Sequence, residues 1–478
     1  MKLRNLFAGL LACALCWAAP PGARAQGPTP TPPADAASRE PATSAPDAAS
    51  AEPAHGGGLL GFFRQTAVNA YLDTYYAFNF NRPHDGLNAL RAFDSRHHRF
   101  SFNAAGLVLE KKPAASSRAG FRLDLLFGPA ADYLAPEEPG GVGNFKHLHQ
   151  AYGSYLAPVG GGLQIDFGKF TAWSGAESDH VAENWNYSRG LLYSFAQPGY
   201  YTGGLRATYA FGPKWSLMGA VVNAADEVGG PTFELSLSLA PRDGLTLAQT
   251  YTAGPEQSGD GRGFGHLFDT VVTYDLNQRL SLLGNYDYGF DRLADGARVR
   301  WQGATAALRY APHERFALSP RFEWYRDYDG YTTGTSQRLK ELTLTGEYRV
   351  ARGLLARLEY RRDWSDQPVF PTADASVYRR TQVTLAGGLV WSFERGGDEP
   401  EEEEEGGPAP EPSAGETATA ALLRPRVERA ARASAAAGRA SAAGALRLTV
   451  PPFLFRKPAA GGGPFVARPA FTGSLFGS

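Results

Sequence analysis

The sequence predicts an all-β fold, a single antiparallel transmembrane β-barrel of about 16 strands. Three observations predict it. Apolar residues recur at every second position in sixteen stretches, most about ten residues or longer, the length at which a tilted strand crosses a bilayer. The opposite face of these stretches carries charged residues, and the gaps between stretches alternate between long and short. Together these features are typical of an outer-membrane barrel.

The two ends of the chain are predicted to lie outside the barrel. Lys2 and Arg4 precede the apolar run "LFAGLLACALCWAA" (6–19), and "ARA" (23–25) is a small-x-small cleavage site. The first 25 residues are therefore predicted to be a signal peptide that directs export. The alternative of a lipoprotein signal ending at Cys13, from "LLAC", stays open.

Two further segments flank the predicted barrel. Residues 26–64 are Pro/Ala-rich and cannot bury a core, so they are predicted to be a disordered lead-in. The acidic run "DEPEEEEE" (398–405) opens an Ala/Arg/Pro/Gly-rich stretch, and residues 394–478 are predicted to be a disordered tail. The tail is either a periplasmic extension or the product of a shifted reading frame or late stop. The barrel is thus predicted over residues 65–393.

Composition excludes several classes of protein. Both cysteines, Cys13 and Cys16, lie in the signal, so the mature chain has no disulfide, thiolate metal site or catalytic cysteine. The net charge of −1 argues against a nucleic-acid partner. After the signal, no run of 18 apolar residues predicts a transmembrane helix.

The predicted strands follow one another along the whole of this region. They cover residues 67–80, 97–111, 118–128, 146–157, 162–171, 200–211, 214–224, 232–241, 245–254, 265–277, 280–291, 299–311, 316–328, 338–350, 354–365 and 380–393. The short gaps are tight-turn sequences such as "PRDG" (241–244) and "ARG" (351–353), whereas "NRPHDGLNALRAFDS" (81–95) is one of the long ones. Short turns are predicted to face the periplasm and long loops the outside.

The first strand, "YLDTYYAFNF" (71–80), shows the two faces. Leu72, Tyr76, Phe78 and Phe80 are predicted to face lipid, and Tyr71, Asp73 and Asn79 to face the lumen. Sixteen strands are wide enough to leave an aqueous channel.

Charged residues are predicted to line this lumen on many strands. The predicted pore-lining residues are Asp73, Arg122, Asp124, Asp166, Glu234, Asp287, Arg321, Glu323, Glu347, Arg349, Arg357, Glu359 and Arg361, with Asp327 and Asp363 on the same face. One interpretation is a transverse electric field with weak ion preference. The other, favoured for any single residue, is that these groups solvate a wet wall and pair with one another.

The last predicted strand ends in an apolar pattern. In "QVTLAGGLVWSF", Leu389, Trp391 and Phe393 lie on one face, and the strand resembles the recognition signal of the outer-membrane assembly machinery. It departs from that signal because 85 residues (478 minus 393) follow Phe393.

Several stretches together resemble a known family. They are "YLDTYYAFNFNRP" (71–83), "FDSRHHRFSFNAAGLVLEKKP" (93–113), "GFRLDLLFGPAAD" (120–132), "QAYGSYLAPVGGGLQIDFGKF" (150–170) and "NWNYSRGLLYSFAQPGYYTGGLRATY" (184–209). This set is similar to the β-barrel porins described as OmpL-like, and the resemblance covers most of residues 65–393. It implies an outer-membrane barrel with a pore function, and it brings no substrate or catalytic residue.

The longest gap, residues 172–199, is the predicted constriction loop. If it folds into the barrel, Glu177, Asp179, His180, Glu183 and Arg189 would set the electric field there. The alternative is an external loop that packs on the rim.

Histidine pairs raise the question of a metal site. His147 and His149 share one face of a strand, and His97 and His98 are adjacent. Two histidines can bind a metal, but neither pair has a third ligand on the same face, so no metal site is predicted. No cofactor is predicted either, because the Gly-rich "GDGRGFG" (259–265) opens no helix after a strand.

These observations predict an outer-membrane porin for passive diffusion of small hydrophilic solutes or ions. Its expected partners are outer-membrane lipid, the barrel-assembly machinery and the solutes, with a homo-oligomer left open. The alternative is a non-conducting surface barrel, structural, adhesive or tethered to the cell wall. An enzyme is not predicted, since the chain has no G-x-S-x-G sequence and no convincing Ser/His/Asp grouping.

Overall fold

The computed structural model describes residues 64–134, 145–197, 199–223, 231–255, 264–293 and 296–396. The predicted signal peptide, the lead-in up to residue 63 and the tail from residue 397 lie outside the described residues. None of the helices in the described ranges has the length and apolar character needed to cross a membrane.

Sixteen antiparallel strands form one closed barrel, as predicted. They are β1 (Ala67–Asn79), β2 (Arg99–Lys111), β3 (Ala119–Phe127), β4 (Leu148–Ala157), β5 (Leu163–Thr171), β6 (Tyr201–Ala210), β7 (Trp215–Asn223), β8 (Pro231–Arg242), β9 (Leu245–Gly254), β10 (Gly265–Asn277), β11 (Leu280–Arg292), β12 (Arg298–His313), β13 (Phe316–Asp327), β14 (Gln337–Ala351), β15 (Leu354–Ser365) and β16 (Thr381–Arg395). Each strand pairs with its neighbours in sequence, and β16 pairs with β1 to close the sheet. Closure leaves the barrel without a free edge.

The last strand runs two residues beyond its predicted end. Glu394 and Arg395 pair with Asn69 and Val68 of β1, so the seam between first and last strands extends to the short-turn end of the barrel. Ladder hydrogen bonds, rather than the apolar pattern, therefore set where β16 stops.

The two faces of the sheet have the polarity of a membrane barrel. On β8, Phe233 and Leu235 are exposed on the outside, whereas Glu234 and Ser236 are buried inside. On β1, Leu72 points outward and Asp73 points inward, and Phe80, directly after the strand, is exposed. A soluble protein would reverse this arrangement, because exposed apolar rows need lipid as their solvent.

Turns at the short-turn end are tight. Gly353, between β14 and β15, has φ +75°, and a Cβ there would lie 2.2 Å from the carbonyl oxygen of Ser392. Glycine fits this turn because it reaches positive φ without strain and leaves room for the neighbouring strand.

At the long-loop end the chain builds small helices. Helix α1 (Pro129–Leu134) follows β3, and helix α2 (Leu191–Phe195) precedes β6. Two further 3-10 turns cover Phe145–His147 and Val181–Glu183. Phe93 and Tyr193 belong to one buried apolar cluster that also contains residues of α1, so loops from different strand pairs pack together.

Candidate functional site: a loop inside the lumen

Residues 172–197 of the predicted constriction loop, called the inserted loop below, lie inside the barrel. Directly after β5, the Trp173 indole N–H donates to Ser236 of β8 at 3.1 Å. The backbone N–H of Gly175 donates to Asp269 of β10 at 2.9 Å. Because Ser236 and Asp269 are buried residues of the barrel wall, these bonds place the loop across the lumen rather than outside it.

The middle of the inserted loop rests on one arginine. Arg357 of β15 donates to the carbonyl oxygens of Val181 and Asn184, each at 2.7 Å. The same guanidinium is held by Glu347 of β14 at 2.7 Å. Arg357 is the fourth residue of a twelve-residue strand counted from the short-turn end, so the loop reaches deep into the barrel.

Backbone N–H groups of the loop bind wall carboxylates. Tyr187 N and Ser188 N donate to Glu359 of β15 at 2.6 and 3.0 Å. Leu191 N, at the start of α2, donates to Glu323 of β13. Hydrogen bonds to charged acceptors are stronger than neutral ones, so these carboxylates anchor the loop.

Arg321 and Arg361 complete this anchor. Arg321 of β13 contacts Glu177 of the loop at 2.6 Å and Glu341 of β14 at 2.8 Å. Arg361 of β15 donates to the carbonyl oxygen of Arg189 at 2.6 Å. The side chains of Arg321 and Arg361 are only 2% and 1% exposed, which is tolerable only because each is fully paired.

The opposite side of the loop meets the first strands of the barrel. The Tyr187 hydroxyl donates to Asp73 of β1 at 2.8 Å. His180 Nε2 lies 3.1 Å from Asp124 of β3. Asp179 lies 3.0 Å from His149 Nε2 of β4. The inserted loop therefore bridges the lumen from β15 to β1, β3 and β4.

Two titratable groups of the loop are tuned by these contacts. Burial pushes the pKa of Asp179 upward, but hydrogen bonds from His149 and Tyr193 outweigh it and hold that pKa below its usual value. Burial lowers the pKa of His180, and the neighbouring Asp124 carboxylate more than reverses this, so the net shift is upward. Both directions favour the charged, hydrogen-bonded forms.

The remaining predicted loop residues brace the loop itself. Glu183 accepts a hydrogen bond from Ser178 at 2.5 Å. Arg189 donates to the carbonyl oxygens of Ser178, Tyr187 and Asp179 at 2.9, 3.0 and 2.7 Å. Its guanidinium also lies 4.8 Å from the centre of the Phe93 ring. These contacts stabilise the conformation in which the loop contacts the barrel wall.

The other predicted wall residues face inward at various depths. Asp166 pairs with Arg206 at 2.8 Å, Arg122 lies 3.6 Å from Glu110, and Asp287 accepts from Asn285 at 3.1 Å. Glu234 is buried on β8, and Arg349 is half-buried near the short-turn end of β14. The inward charges are thus largely paired or hydrogen-bonded.

Sequence reasoning missed some wall and loop residues. Arg91, in the loop between β1 and β2, contacts Asp94 and lies 2.7 Å from Asp363 of β15. No periodicity marks a loop residue as inward-facing, so no signal pointed to it. Alternation with apolar Leu342 on β14 does indicate that Glu341 faces the lumen, although the predicted pore-lining set does not include it.

The sequence of the barrel region matches a protein-family model. The model described as putative beta-barrel porin-2, OmpL-like, matches residues 65–393, the whole barrel region. The chain belongs to this family. It is an outer-membrane porin-type barrel.

Several solved porin structures are similar to this OmpL-like porin. An anion-selective porin from Comamonas acidovorans is 9% identical, with 69% of this chain and 99% of that chain covered, at a TM-score of 0.51. OmpF of Salmonella typhi is 11% identical, covering 69% and 97%, at a TM-score of 0.48. OmpT of Vibrio cholerae is 10% identical, covering 69% and 97%, at 0.46. We found no curated protein whose sequence matches this porin.

The last strand of this porin carries the predicted assembly residues on its outer face. Leu389, Trp391 and Phe393 are exposed, whereas Val390 between the first two is buried and Ser392 between the last two is half-buried.

Proposed function

We propose that this protein is a passive diffusion porin for small hydrophilic solutes or ions, and that the inserted loop narrows its passage. The observation that carries the proposal is the bridge that the loop makes between Arg357 and Glu359 on one side and Asp73 and Asp124 on the other. A segment bound to both sides of a lumen restricts the cross-section for a solute.

Differences in burial along the wall support a wider compartment on the short-turn side. On β10 and β11, Asp269 and Asp287 are buried near the loop, whereas Thr273 and Ser281, closer to the short turns, are half-buried. Solvent therefore reaches the wall below the loop. We infer that the narrowest point lies at the level of the inserted loop.

The charges at that level support weak ion selectivity. Arg321, Arg357 and Arg361 each lie within salt-bridge distance of a carboxylate, so their fields largely cancel at a distance. The Comamonas porin is named as anion-selective. For the present chain, the paired charges favour weak ion selectivity.

We also propose roles for the signal peptide in export and for the last strand in assembly. The signal peptide would direct the chain across the inner membrane, and Leu389, Trp391 and Phe393 would be read by the assembly machinery. One relative in fold, OmpT of Vibrio cholerae, has a trimer form, and a homo-oligomer is proposed here by analogy alone. Diffusion through a pore needs no catalysis, so no enzymatic activity is proposed.

Single-channel recording of the full mature chain, refolded and inserted in a planar bilayer, tests the proposal. We expect stable ohmic steps and a reversal potential close to zero in a salt gradient. A barrel that is folded, as shown by heat-modifiable migration in gels, but conducts nothing would contradict it. A large reversal potential would contradict the weak selectivity while leaving the pore intact.

A further inference from the structure

A cluster of two histidines and one aspartate lies where the inserted loop meets β3 and β4. Asp124 comes from β3, His149 from β4 and His180 from the loop. Each offers one ligand atom, and these atoms all lie within 4.8 Å of one another. The sequence paired His149 with His147, but in the fold His147 instead contacts the carbonyl oxygen of Leu126.

One carboxylate oxygen of this cluster has no hydrogen-bond donor. Asp124 is 0% exposed. Its Oδ2 lies 3.1 Å from His180 Nε2, accepts a hydrogen bond from Gln150 Nε2 at 3.1 Å and lies 3.4 Å from the Arg122 guanidinium. Its Oδ1 is buried and has no donor among the residues that the structure describes. A buried carboxylate oxygen without a partner is costly, so the site has unused capacity to bind a cation.

A second carboxylate orients one of the histidines. His149 Nε2 lies 3.0 Å from Asp179, which also accepts a hydrogen bond from the Tyr193 hydroxyl. Histidines that bind metals commonly donate their other ring N–H to a carboxylate in this way. If His149 Nε2 carries the proton, Nδ1 is left with a lone pair for a metal.

We propose that Asp124, His149 and His180 form a binding site for a divalent transition metal of the zinc class, which clips the inserted loop to the barrel wall. Two imidazoles and one carboxylate suit Zn²⁺ and exclude a dedicated Ca²⁺ or Mg²⁺ site, since those ions prefer oxygen ligands alone. Three protein ligands leave a fourth position for water.

The present distances are compatible with this ion. Bonds of about 2.0–2.1 Å in a tetrahedron place ligand atoms about 3.3 Å apart. His180 Nε2 and Asp124 Oδ2 are already 3.1 Å apart. The widest pair of ligand atoms, within 4.8 Å, has to close by about 1.5 Å, which side-chain rotation can supply.

Metal titration of the full mature chain, refolded in detergent and stripped with a chelator, tests the site. Co²⁺ is the probe, followed by visible absorption, with Zn²⁺ added as competitor. We expect one equivalent to bind and Zn²⁺ to displace it. The His149→Ala and His180→Ala variants should lose this binding, and Asp179→Asn should weaken it about 10–100-fold.

His147→Ala is the matched control, because His147 lies two residues from His149 and outside the cluster. It should bind as tightly as the unchanged chain. Heat-modifiable migration of every variant establishes that the barrel has folded. Unchanged binding in a folded His149→Ala/His180→Ala double variant, or loss of binding only in His97→Ala/His98→Ala, would overturn the site. The absence of any binding would overturn it equally.

Discussion

The walls of β13–β15 and of β7–β9 obey the same alternation but hold the inserted loop in different ways. On β13–β15 the inward positions carry Arg321, Arg357, Arg361 and their carboxylate partners, and these bind the loop backbone directly. On β7–β9, the loop meets the wall through Trp173, which packs against a cluster containing Met218 and Val222 and donates to Ser236.

This difference separates two properties of the barrel wall that act on the inserted loop, the direction of its side chains and their charge. Alternation decides only that a side chain points into the lumen. Charge then decides how tightly the loop is held, because bonds between buried charged groups and carbonyl oxygens are strong and costly to leave unmade. The β13–β15 wall is therefore the anchor, and the β7–β9 wall is a contact surface.

Removing Arg357, the central arginine of the β13–β15 wall, should have the largest effect on stability and on conductance. Arg357→Ala leaves the carbonyl oxygens of Val181 and Asn184 without this donor and removes one partner of Glu347. We expect a loss of about 3–5 kcal/mol in the free energy of unfolding, measured by urea titration in detergent. The single-channel conductance should rise, because the loop is released.

Arg349→Ala is the control for that change. Arg349 also lies on the inner side of β14, but it is half-buried and near the short turns. Its removal should change the free energy of unfolding by about 0.5 kcal/mol or less. Equal losses in the two variants would show that the loop anchor is not the source of the stability.

Adjacent glycines on β16 allow a steric version of the same test. A Cβ on Gly388 would lie 2.6 Å from two ring carbons of Tyr187, whereas a Cβ on Gly387 would meet nothing within 4 Å. Gly388→Ala should therefore displace Tyr187 and cost about 1–3 kcal/mol of stability. Protease cleavage within residues 172–197 measures the displacement.

Gly387→Ala should leave the cleavage rate and the stability close to those of the unchanged chain, because Gly387 lies on the outer face of β16. If both substitutions accelerate cleavage to the same extent, Tyr187 is not held by its fit against β16.

The smallest effect is expected on the β7–β9 wall. Ser236→Ala removes the acceptor of the Trp173 indole N–H and a contact with Thr250 at 2.9 Å. We expect a loss of about 0.5–1.5 kcal/mol, with conductance unchanged because the β13–β15 anchor persists. A conductance change as large as that of Arg357→Ala would remove the distinction between anchor and contact surface.

Much of the barrel could be predicted from local pattern. Glu234 alternating with Phe233 and Leu235 was enough to assign the two faces of β8, and the tight turn "ARG" (351–353) was enough to place Glu347 opposite Arg357. The candidate site was predicted less well. Charge and alternation pick out Glu177, Asp179 and His180 on the loop and Arg321 and Asp124 on the wall, but they do not predict which loop residue contacts which wall residue.

The strands, their two faces and the barrel follow from the amino-acid pattern, because a period of two and alternating gap lengths are local properties and lipid and water favour opposite faces of each strand. The contacts of His180 with Asp124, and of Arg357 with the carbonyl oxygens of Val181 and Asn184, come from the three-dimensional fold. These pairs join residues far apart in the chain through an irregular loop. Such a loop has no sequence repeat that indicates which of its groups faces which wall, so these contacts depend on where the closed sheet places the wall residues.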